Sequence, residues 1–381
     1  MKKSEIDLLL SILLIFAIFL SITGFLTDIS NTVKFGGVDL RNRVVGARLL
    51  IAEQDSYYYK WKEGDSSLFL DPRDNPDWEV NRVTVPPTVL MFHASFSWLS
   101  YKIQRYLWLF LQWFLLLGSI FLFSKSSDSK IKSKLIWICG LFFVGSSFFW
   151  RLHVERGQIY ILYVFIITLS YWIYTKKKNN SEIWSGIIAG IAMSLRPPLI
   201  VSSLPMLISK RINFIIGNFI GIIIGIGSTF LITTSNTWLN YYTAMKAHGI
   251  IHLHSQYYAS SQYPYQDIEG ISNLGAQAHI PIHNSSLQSL TRSLGIGFDS
   301  NILFVMLIIT FIISYFILRK IISSGKEFNI LALSGMILVF ITEFFLPAAR
   351  YPYNDVIFLP ILSLVIINSE DIIQLLSKTW K

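Results

Sequence analysis

The run FIIGNFIGIIIGIGSTFLI, Phe214 to Ile232, carries no charged residue and is about as long as a helix must be to cross a hydrocarbon core. Two further runs, LLLSILLIFAIFL (Leu8 to Leu20) and ILFVMLIITFIISYFIL (Ile302 to Leu318), are of the same kind. The chain around them agrees: 52% of its 381 residues are apolar, only 14% are charged, and the mean hydropathy is +0.50. A water-soluble fold is excluded at that composition, so the runs read as spans of an all-α polytopic membrane protein. The single cysteine, Cys139, sits inside an apolar run and reads as a core residue. No intrachain disulfide can form, and the loops outside the membrane must hold together by packing.

The formal charge of +9 lies in short clusters between apolar runs rather than along one soluble face. It reads as a topology signal, and no nucleic-acid partner is expected. Placing the N-terminus, Lys125 to Lys134, Lys176 to Lys178, Lys210 to Arg211, Arg319 to Lys326 and the tail Lys378 to Lys381 in the cytoplasm gives one consistent alternation. That alternation needs about ten crossings, near 7–26, 105–123, 134–150, 158–174, 183–195, 197–209, 212–232, 301–318, 328–346 and 355–368, with both termini cytoplasmic. Lys2 and Lys3 precede a first run with no small-residue cleavage site after it, so that helix is expected to be retained.

The whole chain, 1–381, is expected to form one membrane domain. Two long extracytoplasmic loops emerge from the alternation, 27–104 and 233–300, of the length that usually carries function. Within the first, Pro86 to Lys102 is aromatic-rich but must not cross, and is placed as a helix in the outer interface. The stretch Ile183 to Ile208 is interrupted by Arg196-Pro197-Pro198, leaving two halves too short to span unless they line an enclosed, hydrated cavity.

Residues equipped for chemistry concentrate in the outer segments. Asp39, in Gly36-Gly37-Val38-Asp39-Leu40-Arg41-Asn42-Arg43, has two readings: a general base, or a salt-bridged loop acid. Burial would raise its proton affinity and the neighbouring arginines would lower it. Arg151, His153, Arg156 with Gly157-Gln158, then Arg196, then Arg350 fall at outer helix ends, against the positive-inside bias. A specific anion explains them, since the guanidinium fork matches phosphate oxygens; snorkelling to lipid headgroups is the plainer reading. In the second loop, His283-Asn284-Ser285-Ser286-Leu287 and Arg292 can hydrogen-bond a sugar or pyrophosphate, or serve as a glycosylation sequon. His248, His252 and His254 lack a carboxylate or cysteine to complete a zinc site, and Asp71, Asp74, Asp77 and Glu79 read as a solvated loop. No Asp-x-Asp pair and no phosphate-cradling glycine loop occurs, so neither metal nor cofactor is expected.

In their order along the chain these pieces resemble glycosyltransferase family 87, the polyprenyl-phosphate-mannose-dependent members of the GT-C superfamily. The resemblance rests on Asp39 with Arg41, Ala47, Arg48 and Tyr57 to Tyr59; on Pro86-Pro87; on Gly157-Gln158; on Arg196-Pro197-Pro198; and on Asn284-Ser285-Ser286-Leu287 with Arg292. It implies a GT-C-like fold in a bacterial inner membrane and an inverting, metal-independent transfer on the extracytoplasmic face. A hexose would pass from a polyprenyl-phosphate sugar, the lipid-linked co-substrate, to a glycolipid or glycan acceptor. Asp39 would be the catalytic base. Arg41, Arg43, Arg156, Gln158, Arg196, His283, Asn284, Arg292, Arg350 and Tyr353 would bind substrate. The chain departs from the family's pattern at Arg350-Tyr351-Pro352-Tyr353-Asn354-Asp355, where members carry a Ser-Trp-x-His-His segment, and at Ser285, where they carry Gln. A non-catalytic lipid-sugar transporter or flippase would instead need polar residues on both sides of the midplane, whereas nearly all the polar residues other than lysine fall outside. A surface-polysaccharide polymerase or ligase would share the chemistry with a diphosphate-linked glycan.

Overall fold

The computed structural model describes residues 3–254, 286–296, 300–323, 328–346 and 350–373, and among them the chain is helical with no strand. Five helices are long and apolar enough to cross a membrane: α1 (Lys3–Phe35), α4 (Tyr101–Ser126), α10 (Ile212–Thr229), α13 (Ser300–Ser323) and α14 (Phe328–Phe345). A sixth is a bent pair, α5 (Lys130–Ile138) and α6 (Phe148–Glu155), joined through a π-helical turn at Cys139–Gly145 and bent by 61°. Shorter apolar helices are α7 (Tyr160–Thr175), α8 (Ser181–Leu195) and α15 (Phe358–Ile367), with α9 (Leu204–Ile208) following a 3-10 turn at Pro197–Ser203. Six of the ten expected crossings, near 7–26, 105–123, 134–150, 212–232, 301–318 and 328–346, fall on these spans, while those near 158–174, 183–195, 197–209 and 355–368 fall on helical segments shorter than a span. The remaining helices, α2 (Val38–Ile51), α3 (Pro87–Ala94), α11 (Ser235–His254) and α12 (Leu287–Ser293), belong to the segments expected outside.

Most of α1 and α13 leaves its apolar side chains uncovered, among them Leu8, Ile15, Phe19, Phe304 and Phe316. In water that would be untenable; against lipid it costs nothing. The tightest pairing is α8 on α10. Gly186 and Gly190 on one helix, Gly217 and Gly221 on the other, are spaced four apart and bring the backbones together. A Cβ at Gly221 would lie 2.0 Å from the Ile187 carbonyl oxygen, and one at Gly190 would lie 2.2 Å from that of Asn218.

The two ends of the bundle differ in charge chemistry. At one end Lys134 bonds Asp7 and Ser11, while Lys132 bonds Glu370 and the Ile367 carbonyl, so both ends of the described chain meet the lysine-rich loops there. At the other end the C-termini of α1, α8 and α14 converge with the N-termini of α4 and α7, and most of the arginines gather there beside a few lysines. At the break after α8, Arg196 takes extended backbone (φ −142°, ψ 92°) and its side chain pairs with Glu343 on α14.

The outer segment departs from the expectation of a loop starting at Thr27. α1 continues to Phe35 because nothing before Gly36-Gly37 breaks it; both glycines adopt positive φ (77° and 70°) and turn the chain directly into α2. Residues 52–86 have little regular structure, so their carbonyls need donors. Multi-donor cations supply them. Arg41 bonds the carbonyls of Ser67 and Leu70, Arg48 those of Leu68 and Leu99, and Lys60 those of Asn75 and Val80 as well as Asp74. This corrects two expectations. Packing alone does not hold the segment, and Asp71 and Asp74 are buried rather than solvated.

Candidate active site

The site is assembled around the first turn of α2. The backbone N–H groups of Asp39 and Leu40, which no helical carbonyl can satisfy at that position, both donate to the Arg156 carbonyl, at 2.9 and 3.1 Å. The same residue's side chain grips the Asp39 carboxylate in a two-point fork, Nε to Oδ2 at 2.6 Å and Nη2 to Oδ1 at 2.8 Å. Backbone and side chain of Arg156 thus fix one helix start. The approach is close enough to require glycine at the next position: Gly157 has φ 69°, and a Cβ there would lie 2.6 Å from that of Leu40.

Two more groups complete the carboxylate's shell. Gln158 donates from Nε2 to Oδ2, and its Oε1 in turn accepts from Arg43, which also donates to the Gly157 carbonyl at 2.7 Å. Arg82 bridges two acids, Nη2 to Asp39 Oδ1 at 3.2 Å and Nη1 to Asp71 Oδ2 at 2.9 Å. With four donors for its four lone-pair directions, the Asp39 carboxylate is full. Burial pushes its proton affinity up, but Arg156 and Arg82 outweigh burial and hold the carboxyl below the usual carboxylate range. Arg73 stands close enough for its charge to act with Asp39, Asp71, Arg82 and Arg156, and burial with those like charges pulls its guanidinium below its ordinary value. Arg43, Arg73, Arg82 and Arg156 against Asp39 and Asp71 leave the cluster with excess positive charge.

The other expected residues divide. Arg196 pairs with Glu343 at 2.8 Å, reaches the Tyr160 hydroxyl at 3.2 Å and lies 4.4 Å above that ring. Tyr160 packs on Tyr353 at 5.8 Å, and Tyr353 is near enough to Asp39 and Arg156 for both charges to act on its hydroxyl. Tyr353 thus stands beside the Asp39 cluster, and Arg196 connects to it through Tyr160 and Tyr353. Arg350 is tied to Asp355 and lies 5.2 Å over Phe340. Arg41 faces the 67–70 segment and stacks on Tyr101 at 5.0 Å, holding that segment to α2 rather than lining the cluster. Arg151 is not at the site either. It turns into the bundle to pair with Asp28 at 3.0 Å and to bond the carbonyls of Gly24 and Gly145, which the bent span leaves open. His153 accepts from the Ile161 N–H at 3.2 Å, a structural role. His283 and Asn284 lie outside the described residues, as does the Arg292 side chain.

Sequence reading missed Arg82, Asp71, Arg73, Tyr160 and Glu343. Arg73 is in the segment read as solvated and Arg82 just beyond it; one arginine among four acids and a second three residues after the last were the available signal. Beside the cluster, a recess of about 300 Å³, open solvent included, is lined by Asn42, Tyr59, Trp61, Phe69, Asp71 and Arg82. It meets the Asp39 cluster at Arg82. The Asn42 side chain, 7% exposed, faces it with no hydrogen-bond partner. No group of three or more metal-ligating side chains occurs among the described residues.

A family model described as glycosyltransferase family 87 matches residues 84–343, more than half of the chain. The matched part contains Arg156, Gln158, Arg196 and Glu343, while Asp39, Arg43 and Arg82 precede it. No curated protein and no solved structure matches the chain. With the family match added to the helical membrane fold, the chain belongs to glycosyltransferase family 87 and is a glycosyltransferase.

Proposed function

We propose that the protein moves a hexosyl group from a polyprenyl-phosphate sugar to a glycolipid or glycan acceptor, with inversion, on the extracytoplasmic side of a bacterial inner membrane. The observation that carries this reading is the Asp39 carboxylate set among more guanidiniums than carboxylates, at the bundle end opposite the lysine-rich loops. Positive-inside sorting assigns the lysine end to the cytoplasm and so the site to the other face.

In the reaction, an acceptor hydroxyl gives its proton to Asp39 as its oxygen attacks the anomeric carbon. The bond from that carbon to the phosphate oxygen breaks, and its electron pair leaves with the lipid phosphate. Negative charge grows on that phosphate, where the surplus arginine charge stabilises it. A full carboxylate is a poor base, so one donor must let go first. Arg82 makes the longest of the four contacts and already has Asp71 as a second partner, while Arg156 has the fork that matches phosphate. Incoming phosphate draws these guanidiniums away from Asp39, which raises its proton affinity when an acceptor must be deprotonated. The recess beside Arg82 suits a sugar: Tyr59, Trp61 and Phe69 offer ring faces and Asn42 an unused carboxamide. We place the acceptor there.

Purified protein in nanodiscs, given polyprenyl-phosphate hexoses and an acceptor glycolipid with EDTA present, should form a glycosylated acceptor detectable by mass spectrometry. Turnover only with a nucleotide sugar, or only after metal addition, contradicts the proposal.

A further inference from the structure

On the opposite side of α2 from the acceptor recess lies a second hollow of about 200 Å³, open space included, between α1 and α4. At about 100° per residue, Leu40, which lines it, points nearly opposite to Asn42. Part of its polar lining is unmatched. Arg105 is 5% exposed and forms no ion pair with any described carboxylate; its one hydrogen bond, Nη1 to the Val33 carbonyl, is long at 3.5 Å, and Nε has none. Gln112 is 1% exposed and its Oε1 has no partner. The two stand seven residues apart, on one stripe of α4 with Trp108 between them. Arg105 also lies 5.6 Å over the Tyr106 ring, whereas Arg41, Arg43, Arg82, Arg156, Arg196 and Arg350 at this end are each engaged by a carboxylate or by carbonyls.

A buried guanidinium without a counter-charge calls for an anion. The surroundings say how it arrives. Ile103, Leu107 and Phe110 on α4, with Leu26 and Val33 on α1, are uncovered apolar side chains of the two helices that border the hollow, and Lys34 and Lys102 are exposed on the same helices. We infer that Arg105 and Gln112 form a binding site for a phosphate group carried on a lipid chain. The guanidinium fork takes two phosphate oxygens, the Gln112 Oε1 accepts from a protonated phosphate oxygen or from a hydroxyl beside it, and the chain lies along the uncovered faces of α1 and α4. The same chemistry serves a polyprenyl phosphate or a membrane phospholipid. In either case the lipid is separate from the donor whose phosphate is placed at Arg82 and Arg156, and the site does not depend on the transfer reading.

The test is binding, not turnover. Detergent-purified protein is titrated separately with undecaprenyl phosphate and with phosphatidylglycerol, and bound lipid is read by native mass spectrometry. Arg105→Gln is expected to weaken binding at least tenfold and Gln112→Leu severalfold, with Lys177→Ala unchanged. Should Arg105→Gln fail to fold, a diazirine-bearing farnesyl phosphate is photolysed with the wild type, and crosslinks are expected on residues 26–34 and 103–110. Stronger binding of undecaprenyl phosphate identifies a carrier site, and equal binding a phospholipid site. Wild-type affinity for both lipids in a folded Arg105→Gln variant, or crosslinks confined elsewhere, overturns the inference. Loss of transfer in an Asp39 variant with lipid binding intact separates the two readings.

Discussion

Asp39 and Asp74 titrate in opposite directions, and each leaves a measurable trace. Asp39 is held below the ordinary carboxylate value, so its stabilising contribution is fully present above about pH 4 and is lost only as pH falls through its lowered folded value. In the free enzyme it should produce no loss of kcat/KM between pH 8 and 5. If donor phosphate draws Arg82 or Arg156 away, its proton affinity rises in the complex, and the acid limb of kcat should lie at higher pH than that of kcat/KM. Coincident limbs would count against the exchange. Asp39→Asn should lower kcat by about 100-fold or more, with the protein still monodisperse; activity near wild type would remove the base assignment. Burial raises Asp74 to about 6 despite Lys60. The folded state therefore holds the extra proton between the usual value and about 6, and stability falls as pH rises through that window. Thermal unfolding should show wild type losing ground to Asp74→Asn between about pH 4 and 6, and an identical slope in both would contradict the burial argument.

At the scale of elements, the α8–α10 contact is where a single atom matters most. Gly190 and Gly221 leave no room for a Cβ against backbone carbonyls that cannot swing away. Gly221→Ala should force the helices apart and cost on the order of 1–3 kcal/mol, seen as a lower unfolding midpoint in nanodiscs, while Gly227→Ala, whose Cβ would meet nothing, should be neutral. Equal midpoints would show that the pair is looser than described. The spacing of these glycines was visible along the chain, but four-residue glycine spacing does not name its partner helix. The π turn at Cys139–Gly145 is a second case. Its 61° bend lets Arg151 turn inward to Asp28, so an arginine placed by spacing at the outer surface became an internal strut.

For the whole molecule, sidedness is the open consequence of the two unlike ends. With Cys139→Ser as background, Glu63→Cys should react with a membrane-impermeant maleimide in intact cells and Lys177→Cys only after lysis; the reverse pattern would put the site on the cytoplasmic side. The sequence by itself determined the membrane class, the positions of six spanning segments and the family, because hydropathy acts through composition along short windows. It also marked Asp39, Arg156, Gln158 and Arg196 as chemically equipped. What only the tertiary structure decided is which charges meet. Arg82 joins Asp39 from 43 residues away, Arg156 from 117, and Glu343 reaches Arg196 across 147. Arg105, inside an expected span, was left without an acid. Ion pairing depends on distance in space and on burial, neither of which a linear pattern encodes, so the same arginines read along the chain could not be sorted into grip, strut and vacancy.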